Sequence, residues 1–471
     1  MAAGNEYRVI SAISRVTSRI WCLGICHIHP GDRVFKKNFI SPVPIHHTNQ
    51  ANQKKDVFRM LYRTVPRTGD ELSILGFGFM RLPLKKGGSI DEERAIRQLR
   101  YAIDKGVNYV DTAPAYHFGK SEKILARALA DGYREKVRIA TKLPPWSVHA
   151  RVDMDSILSS QLVTLRTDRI DYYLLHSLTK ASWEKMKNLG VLGFLDAAKK
   201  DGRIKNAGFS FHGDTATFKE IVDSYNWDFC QIQYNYLDEH NQAGTQGLKY
   251  AAGKRLAVMI MEPIRGGNLA GRIPDEIKKI WDESPRKRSP AEWALRWVWN
   301  HPEVTVVLSG MNDESHIDEN LQIAGEAFPD SLTPSELAVI SQVRDSYQRL
   351  MKINCTGCGY CMPCPSGVDI PGCFSLYNAH HLFPHDRSAK FHYLGRHGGL
   401  LSSISYAGLC RQCGKCVKSC PQHLPIPDRL RDVSHEMEGM MTVTIPLLKG
   451  GLWCLNQFGR IGRVFSRNKT P

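Results

Sequence analysis

The sequence predicts an α/β protein, a closed (β/α)8 barrel of the TIM type followed by a small, mainly helical domain built around cysteines. From Leu72 onward, short apolar runs alternate with helical patterns eight times, which is typical of a closed parallel barrel. Eight of the 13 cysteines then fall in two short runs near the C-terminus. The 471 residues are enough for a barrel of about 250 residues plus one or two smaller units.

Each predicted strand is an apolar run that is short enough to be buried in a parallel sheet. The eight runs lie near Leu75–Met80, Val107–Val110, Val137–Thr141, Tyr172–Leu175, Asn206–Phe209, Phe229–Ile232, Ala257–Met261 and Thr305–Leu308. An open doubly wound sheet is the alternative, but no G-x-G-x-x-G motif follows the first strand. Helical spacing of apolar residues predicts helices over Glu92–Lys105, Met154–Leu165, Trp183–Asp201, Thr215–Ser224, Pro290–Asn300 and Pro334–Leu350.

Three consecutive predicted strands deliver polar side chains at their ends. Asp111 directly follows the run Val107–Val110, Lys142 and His176 end the next two strands, and Tyr116 lies just beyond Asp111. The carboxyl ends of parallel strands meet at one face of a barrel, where its chemistry is done. A free tyrosine has a pKa of about 10, and a nearby Lys ammonium is expected to lower it. Such a set could protonate a carbonyl oxygen while hydride arrives at the carbon.

The motifs around these residues occur in order and at fitting spacings. They are Gly76-Phe-Gly-Phe-Met-Arg81, Asp111-Thr-Ala-Pro-Ala-Tyr116, Gly119-Lys-Ser-Glu122, Thr141-Lys142, Leu174-Leu-His176, Gly208-Phe-Ser210 and Gln231-Ile-Gln-Tyr234. From about Met60 to about Ala324 the chain thus resembles the aldo-keto reductase family. The resemblance implies a barrel, a nicotinamide cofactor and carbonyl reduction. It also implies that Asp111, Tyr116, Lys142 and His176 form the catalytic tetrad, with Tyr116 as the general acid.

The same resemblance implies a set of cofactor-binding residues. Ser210 and Gln231 match positions that hold the nicotinamide amide. The loop that begins at Glu262 and contains Arg265 and Gly266 looks like a pyrophosphate-side loop, because glycines let backbone amides approach phosphate.

Further cofactor contacts are expected after the last strand. Ser309 and Gly310 precede a helix that carries His316 and Asn320, and a helix N-terminus is an anion site. Many NADPH-preferring members of the family have a Lys and an Arg where this chain has Gly310 and His316. The cofactor is therefore expected to be NADPH or NADH, without a choice between them.

The two cysteine runs predict iron–sulfur clusters. They are Cys355-x2-Cys358-x2-Cys361-x2-Cys364-Pro365 and Cys410-x2-Cys413-x2-Cys416-x3-Cys420-Pro421. In two-cluster ferredoxins three close cysteines hold one cluster, and the fourth, before Pro, reaches the other. Zinc is the alternative metal, since paired C-x2-C also makes zinc sites, but the Cys-Pro ends of both runs favour two 4Fe–4S clusters.

Crossed ligation would place Cys420 with the first run and Cys364 with the second. Cys364 is the least typical ligand, because the first run is one residue short before it. The segment resembles a dicluster domain of the ferredoxin type, and its fusion behind the barrel resembles a microbial subgroup of ferredoxin-linked aldo-keto reductases.

Composition limits the partners and the location. The net charge is +16, but no nucleic-acid motif is present, and a basic surface would suit an acidic redox protein. No stretch approaches 18 uninterrupted apolar residues, so no transmembrane segment is expected. Cysteines arranged as metal ligands indicate a reducing compartment, and we expect a cytoplasmic protein.

The predicted divisions are an N-terminal extension (1–59), the barrel (60–330), a connecting helix (331–352), the dicluster domain (353–435) and a tail (436–471). We expect a nicotinamide-dependent oxidoreductase that interconverts a small-molecule carbonyl and an alcohol, with the clusters for one-electron transfer. Because hydride carries two electrons, a flavin could mediate between the two units. The alternative is an electron-transfer or docking subunit whose barrel is a scaffold, and the complete tetrad argues against it.

Overall fold

The computed structural model describes residues 59–383, 388–399 and 403–439. The predictions for residues 1–58 and for most of the C-terminal tail lie outside these ranges. None of the helices within them is long and apolar enough to cross a lipid bilayer.

Eight parallel strands, β3 to β10, close into a barrel in chain order, with β10 paired to β3. The predicted (β/α)8 barrel is confirmed, and each strand lies within a few residues of its predicted position. The strands are β3 Leu75–Gly78, β4 Tyr109–Asp111, β5 Arg138–Leu143, β6 Ile170–Leu178, β7 Ile204–Phe211, β8 Phe229–Gln233, β9 Ala257–Met261 and β10 Val304–Ser309. An antiparallel hairpin, β1 Tyr62–Thr64 and β2 Glu71–Ser73, precedes them and was not predicted.

The barrel interior is a packed core. Tyr172 contacts Tyr109 and Phe229 edge to face, with ring centroids 5.3 and 5.0 Å apart. Along β6 the side chains alternate, so that Tyr172 belongs to the interior while its neighbour Tyr173 packs in the outer core under the helices. Functional side chains are consequently found at the C-terminal end of the strands.

Helices surround the barrel largely as predicted. One prediction is wrong: the single helix over Trp183–Asp201 is two helices, because Gly190 has a φ of 74° that ends the first and starts the second. The barrel helices are Glu92–Asp104, Ser121–Ala128, Arg151–Leu165, Lys180–Asn188, Val191–Lys200, Thr215–Asp223, Gly244–Gly253, Asp275–Glu283, Pro290–Trp299 and Glu314–Ala324.

The connecting helix has its predicted bounds, Pro334–Leu350. Thr333 and Glu336 form a capping box at its start, with Pro334 in the first turn. Its residues Val343 and Tyr347 are buried in the outer core of the barrel. This helix therefore packs as one more barrel helix.

The cysteine-rich segment forms a small helical domain with its own core, in which Phe374, Tyr393 and Val433 are buried. Its helices are Ile370–Leu382, Ser388–His397, Lys415–Lys418 and Ile426–Met437. The boundary predicted at residue 435 falls inside the last helix, and Glu438 accepts a hydrogen bond of 2.6 Å from the Tyr393 hydroxyl.

The two cysteine runs share one backbone pattern. In each run the second and fourth residues after the first cysteine have positive φ: Gly357 and Gly359 in the first run, Gln412 and Gly414 in the second. After each Cys-Pro pair, the next long helix begins with Ile-Pro. The domain is thus an internal repeat, and corresponding positions of the two runs can be compared.

Candidate active site and cysteine groups

Four side chains from the ends of three neighbouring strands meet at the mouth of the barrel. Asp111 ends β4, Lys142 lies near the end of β5, and His176 lies near the end of β6. Tyr116 begins the short 3-10 turn Tyr116–Gly119 that follows β4. The structure brings together all four residues of the predicted tetrad.

Asp111 and Lys142 form a buried ion pair. The Lys142 ammonium lies 2.7 Å from each Asp111 carboxylate oxygen and donates a third hydrogen bond of 2.7 Å to the Thr112 carbonyl. Burial lowers the pKa of Lys142 and raises the pKa of Asp111, and in each case the charge of the partner opposes the effect of burial. The pair puts a fixed, desolvated positive charge beneath the tyrosine.

Tyr116 lies over this pair. The Lys142 ammonium is 5.0 Å from the ring centroid, and the His176 ring lies edge-on at 5.9 Å. Burial raises the pKa of Tyr116 well above its usual value, and the charges of Asp111 and Glu262 raise it further. The net shift is thus upward, not the expected lowering, because burial and Asp111 outweigh the nearby Lys142 ammonium, whose protons bond Asp111 and Thr112. A phenol with a raised pKa keeps its proton near neutral pH.

His176 is turned into the mouth by a break in the β6–β7 ladder. The register shifts after Leu175, and Ser177 has a φ of 54°. The Ser177 amide donates a 2.7 Å hydrogen bond to the Ser210 hydroxyl. Burial lowers the pKa of His176 well below its usual value, helped by Lys142 and His212. A neutral imidazole has one N–H to donate.

Five non-glycine residues at this mouth have a strained backbone. His117, Phe118, Ser177, Glu262 and Arg265 all have φ between 47° and 55°. Non-glycine residues in this region cost about 1–3 kcal/mol each and persist where the surrounding structure holds them, often at functional sites. The strain therefore marks the same end of the barrel as the tetrad does.

The residues predicted to hold the nicotinamide amide lie beside the tetrad. Ser210 and Gln231 are buried neighbours in β7 and β8. The Gln231 amide nitrogen is 3.6 Å from the Met261 sulfur, and its oxygen has no hydrogen-bond partner within the described ranges. A buried amide oxygen with no partner fits the amide group of a nicotinamide, so the site suits the predicted cofactor.

The residues after β10 are arranged around a helix start. Asn320 donates a 2.9 Å hydrogen bond to the Ser309 hydroxyl. A side chain on Gly310 would contact Arg81 at 3.2 Å, and His316 is exposed in the first turn of its helix. Their cofactor roles stay predictions.

The loop after β9 instead contacts the cysteine domain. The Arg265 guanidinium is fully buried, with its Nε 3.0 Å from an Asp238 carboxylate oxygen, and it also bonds the Asn354 oxygen. Gly266 has a φ of 68°, and a Cβ there would lie 3.1 Å from the Thr356 carbonyl. These contacts make the loop a joint between barrel and cysteine domain, and the phosphate-binding role of Glu262, Arg265 and Gly266 stays a prediction.

Glu262 lies between the tetrad and the first cysteine run. Burial raises its pKa to about 7, against the charge of Arg265, and its Oε2 has no hydrogen-bond partner in the described part of the chain. Its own charge raises the pKa of Tyr116 and of Cys358. The charge of this carboxyl group therefore acts on both the tetrad and the first cysteine run.

The eight cysteines form two groups that cross the runs. Burial raises the pKa of Cys361 to about 12, with contributions from Cys358, Cys355 and Cys420. Burial also raises the pKa of Cys416, with contributions from Cys410, Cys364 and Cys413. We name Cys355, Cys358, Cys361 and Cys420 the inner group, and Cys364, Cys410, Cys413 and Cys416 the outer group. This grouping agrees with the crossed arrangement, while ligation itself stays a prediction.

Both groups suit iron–sulfur clusters. The amides of Gly357 and Gln412 lie 3.4 Å from the sulfurs of Cys355 and Cys410, and such contacts stabilise cluster thiolates. Among the described residues, no three His, Cys, Asp or Glu side chains are arranged to hold a single metal ion. Four thiols around a four-iron cube stand farther apart than the ligands of one zinc ion, so the donor set fits a cluster better than zinc.

The inner group faces the barrel and the outer group faces solvent. Gln422, next to the inner group, donates a 2.6 Å hydrogen bond to the Gln233 oxygen at the end of β8, and Gln242 donates one of 3.0 Å to the Pro421 carbonyl. In the outer group Cys413 is exposed.

Sequence reasoning missed two aromatic residues around His176. Tyr360, between Cys358 and Cys361, places its hydroxyl 3.3 Å from His176 Nε2, and its ring is 5.8 Å from His212. Trp146 lies 5.1 Å from the His176 ring. The sequence did contain a signal for Tyr360. It is an aromatic residue inside a cysteine run, at a position where the second run has Lys415.

Two protein families match the chain. Residues 74–343, more than half of the chain, match the aldo/keto reductase family, and residues 354–425 match a 4Fe-4S dicluster domain. An aldo-keto reductase of Bacillus subtilis (strain 168) is 25% identical over 307 residues, which are 56% of this chain and 89% of that protein. The NADH-specific methylglyoxal reductase of Escherichia coli (strain K12) is 22% identical over 309 residues, 56% of this chain and 91% of that protein.

Among solved structures, the holo form of an aldo-keto reductase from Bacillus halodurans has a TM-score of 0.52 and 25% sequence identity. The similarity covers 60% of this chain and 96% of that chain.

Proposed function

Because the chain belongs to the aldo/keto reductase family and carries a 4Fe-4S dicluster domain, we propose a nicotinamide-dependent oxidoreductase that interconverts a small-molecule carbonyl and an alcohol. Its two clusters would transfer single electrons. The observation that carries this proposal is the barrel mouth, where the Lys142 ammonium lies 2.7 Å from the Asp111 carboxylate and 5.0 Å from the Tyr116 ring, and where Tyr360 of the first cysteine run lies 3.3 Å from His176.

A bound nicotinamide would supply hydride, and bound 4Fe–4S clusters would supply single electrons. The chain supplies the proton and the orientation. Tyr116 gives its phenolic proton to the carbonyl oxygen as hydride reaches the carbon, so that an alcohol forms. The Lys142 ammonium, held by Asp111, stabilises the negative charge that develops on the phenol oxygen. The neutral His176 donates its N–H to the carbonyl oxygen and orients it.

Ser210 and Gln231 would hold the nicotinamide amide, and Ser309 and Asn320 would flank the far end of the cofactor. NADH and NADPH are both proposed, since Gly310 and His316 offer no fixed cation to a ribose phosphate. The Escherichia coli relative that is an NADH-specific methylglyoxal reductase makes a small dicarbonyl the first substrate to test.

Electrons would enter or leave through the outer group. Cys413 is exposed there, and the neighbouring Arg411 and Lys418 are also exposed. An acidic redox protein is the partner that this surface suits. A flavin could mediate between two-electron and one-electron steps, and a reducing location such as the cytoplasm would protect the thiolate ligands.

One observation favours the alternative function, an electron-transfer subunit with the barrel as scaffold. The Tyr360 hydroxyl lies 3.3 Å from His176 Nε2, the atom that would face the carbonyl oxygen. In a barrel that is only a scaffold this contact could be permanent. In an enzyme it must break, so that Nε2 can bond the substrate.

The test replaces Tyr116 by Phe, which removes the proton donor and little volume. Carbonyl reduction should fall by about 10² or more, while nicotinamide binding stays near that of the wild type. Tyr250→Phe is the control, because Tyr250 lies on the outer helix Gly244–Gly253, where its hydroxyl bonds the Asp223 carboxylate. Unchanged turnover in Tyr116→Phe would refute the assignment. If no carbonyl is reduced while the clusters exchange electrons with a carrier, the scaffold alternative stands.

A further inference from the structure

We propose that Tyr360, a residue of the first cysteine run, is a positioning residue of the barrel's active site and forms one wall of its substrate pocket. The inference rests on the proposed function and deepens it, because it makes the iron–sulfur domain a structural part of the carbonyl site. Tyr360 would act through His176, which it contacts directly.

The geometry places Tyr360 among the tetrad. Its hydroxyl is 3.3 Å from His176 Nε2, and its ring is edge-on to His176 at 6.4 Å and to His212 at 5.8 Å. Tyr360 therefore lies in the space above the tetrad that a substrate must enter.

His176 depends on this contact for its orientation. Its other ring nitrogen, Nδ1, is buried without a hydrogen-bond partner in the described part of the chain. Its remaining aromatic neighbours, Tyr116 and Trp146, contact the ring without a hydrogen bond to its nitrogens. The Tyr360 hydroxyl thus fixes the angle of the imidazole until a carbonyl oxygen takes its place.

The internal repeat shows that the cluster does not require this tyrosine. Tyr360 follows Cys358-Gly359 and precedes Cys361, and Lys415 occupies the same position between Cys413-Gly414 and Cys416. Lys415 is exposed. The side chain at this loop position therefore faces solvent in the second run and contacts the barrel in the first. The contact with the barrel, and not the cluster, explains why the first run has a tyrosine there.

Tyr360→Phe removes the hydroxyl and keeps the wall, and Tyr360→Ala removes both. Lys415→Ala is the matched control, because it truncates the equivalent position at an equal distance along the loop from the thiols. Each variant is prepared anaerobically as the full chain with its clusters. The measurements are kcat and KM for methylglyoxal, the dissociation constant of NADH, and iron and sulfide content. They also include the ¹⁵N resonances of the His176 ring, assigned by their loss in His176→Gln.

We expect Tyr360→Phe to lower kcat/KM for methylglyoxal about 10-fold, because the free enzyme loses the hydrogen bond that positions the imidazole, with NADH affinity and iron content unchanged. The His176 Nε2 resonance should shift in the same variant. Tyr360→Ala should in addition raise KM for methylglyoxal and admit bulkier carbonyls, and Lys415→Ala should change none of these quantities.

The inference is overturned if Tyr360→Phe keeps the wild-type kcat, KM and His176 resonance. If Tyr360→Ala loses iron, Tyr360→Phe decides alone, since its ring is retained. If the wild type reduces no carbonyl, the proposed function fails, and the His176 resonance in Tyr360→Phe still decides whether this contact exists in solution.

Discussion

Replacing Arg265 by Met should destabilise the joint between the barrel and the dicluster domain. The Arg265 side chain is fully buried, and Asp238 beside it is 2% exposed. Without the guanidinium, the Asp238 carboxylate keeps only neutral donors among the described residues, the amides of Gln233 at 2.8 Å and Asn235 at 2.9 Å. Breaking one partner of a buried ion pair typically costs about 3–5 kcal/mol of unfolding free energy.

At about 2–4 °C per kcal/mol, this loss should lower the melting temperature of the anaerobic protein by roughly 6–20 °C. Tryptophan fluorescence would follow the barrel, and visible absorption would follow the clusters. Cluster loss should begin at a lower temperature in the variant, because Arg265 also bonds Asn354, next to Cys355.

Two controls separate charge from packing. The double variant Arg265→Met with Asp238→Asn removes both charges and should recover much of the loss. Arg127→Met breaks exposed pairs with Glu92 and Glu93 and should cost at most about 1 kcal/mol. A change below about 1 kcal/mol in Arg265→Met, equal to that of Arg127→Met, would refute the reasoning that this pair is buried and uncompensated.

Two further predictions concern the clusters and pH. Anaerobic protein should contain about eight iron and eight sulfide per chain. Cys364→Ala should alter the electron paramagnetic resonance signal of the cluster held by the second run. A change confined to the cluster of the first run would contradict crossed ligation. Glu262 has a folded pKa of about 7 against a usual 4.5, so it binds a proton in the folded state that the unfolded chain has lost. Its contribution of about 3 kcal/mol to the free energy of unfolding is complete below pH 4.5 and is lost as the pH rises through 7. Between pH 5 and 8 the wild type should therefore lose more stability than Glu262→Gln. Melting temperatures of the two proteins that change equally with pH would contradict the raised pKa.

Local pattern was sufficient for most of the barrel. Buried parallel strands are short continuous apolar runs, so each was visible in the sequence, and the end of β4 at Asp111 follows from the change to a polar residue. The hairpin before the barrel was missed because Tyr62–Thr64 and Glu71–Ser73 are only three residues each. The false single helix shows the same limit, since one glycine at positive φ interrupts an otherwise continuous helical pattern at Gly190.

The site could be predicted only as far as its chemistry lies at strand ends. Asp111, Lys142 and His176 each lie at or near the end of a strand, so their meeting follows from the barrel alone. Tyr360 and the burial of Arg265 depend on how a second domain packs on that barrel, and no periodicity in either segment encodes such a contact. The net shift of the Tyr116 pKa was expected with the wrong sign, because a sequence does not show how deeply the phenol is buried or that Asp111 lies close enough to oppose Lys142.

The glycine at position 266 has a consequence for protein engineering. A Cβ there would stand 2.7 Å from the Arg81 guanidinium and 3.1 Å from the Thr356 carbonyl. The cysteine domain can therefore pack this closely on the barrel only if position 266 has no side chain. Transplanting this electron-transfer module onto another reductase of the family would need that glycine, a buried arginine before it and an acidic residue to receive the arginine. Deleting the module would likewise expose that arginine and remove Tyr360. A loss of activity in the truncated reductase would therefore reflect a damaged active site as well as the loss of electron transfer. Point variants, rather than domain swaps, are the means to separate the two.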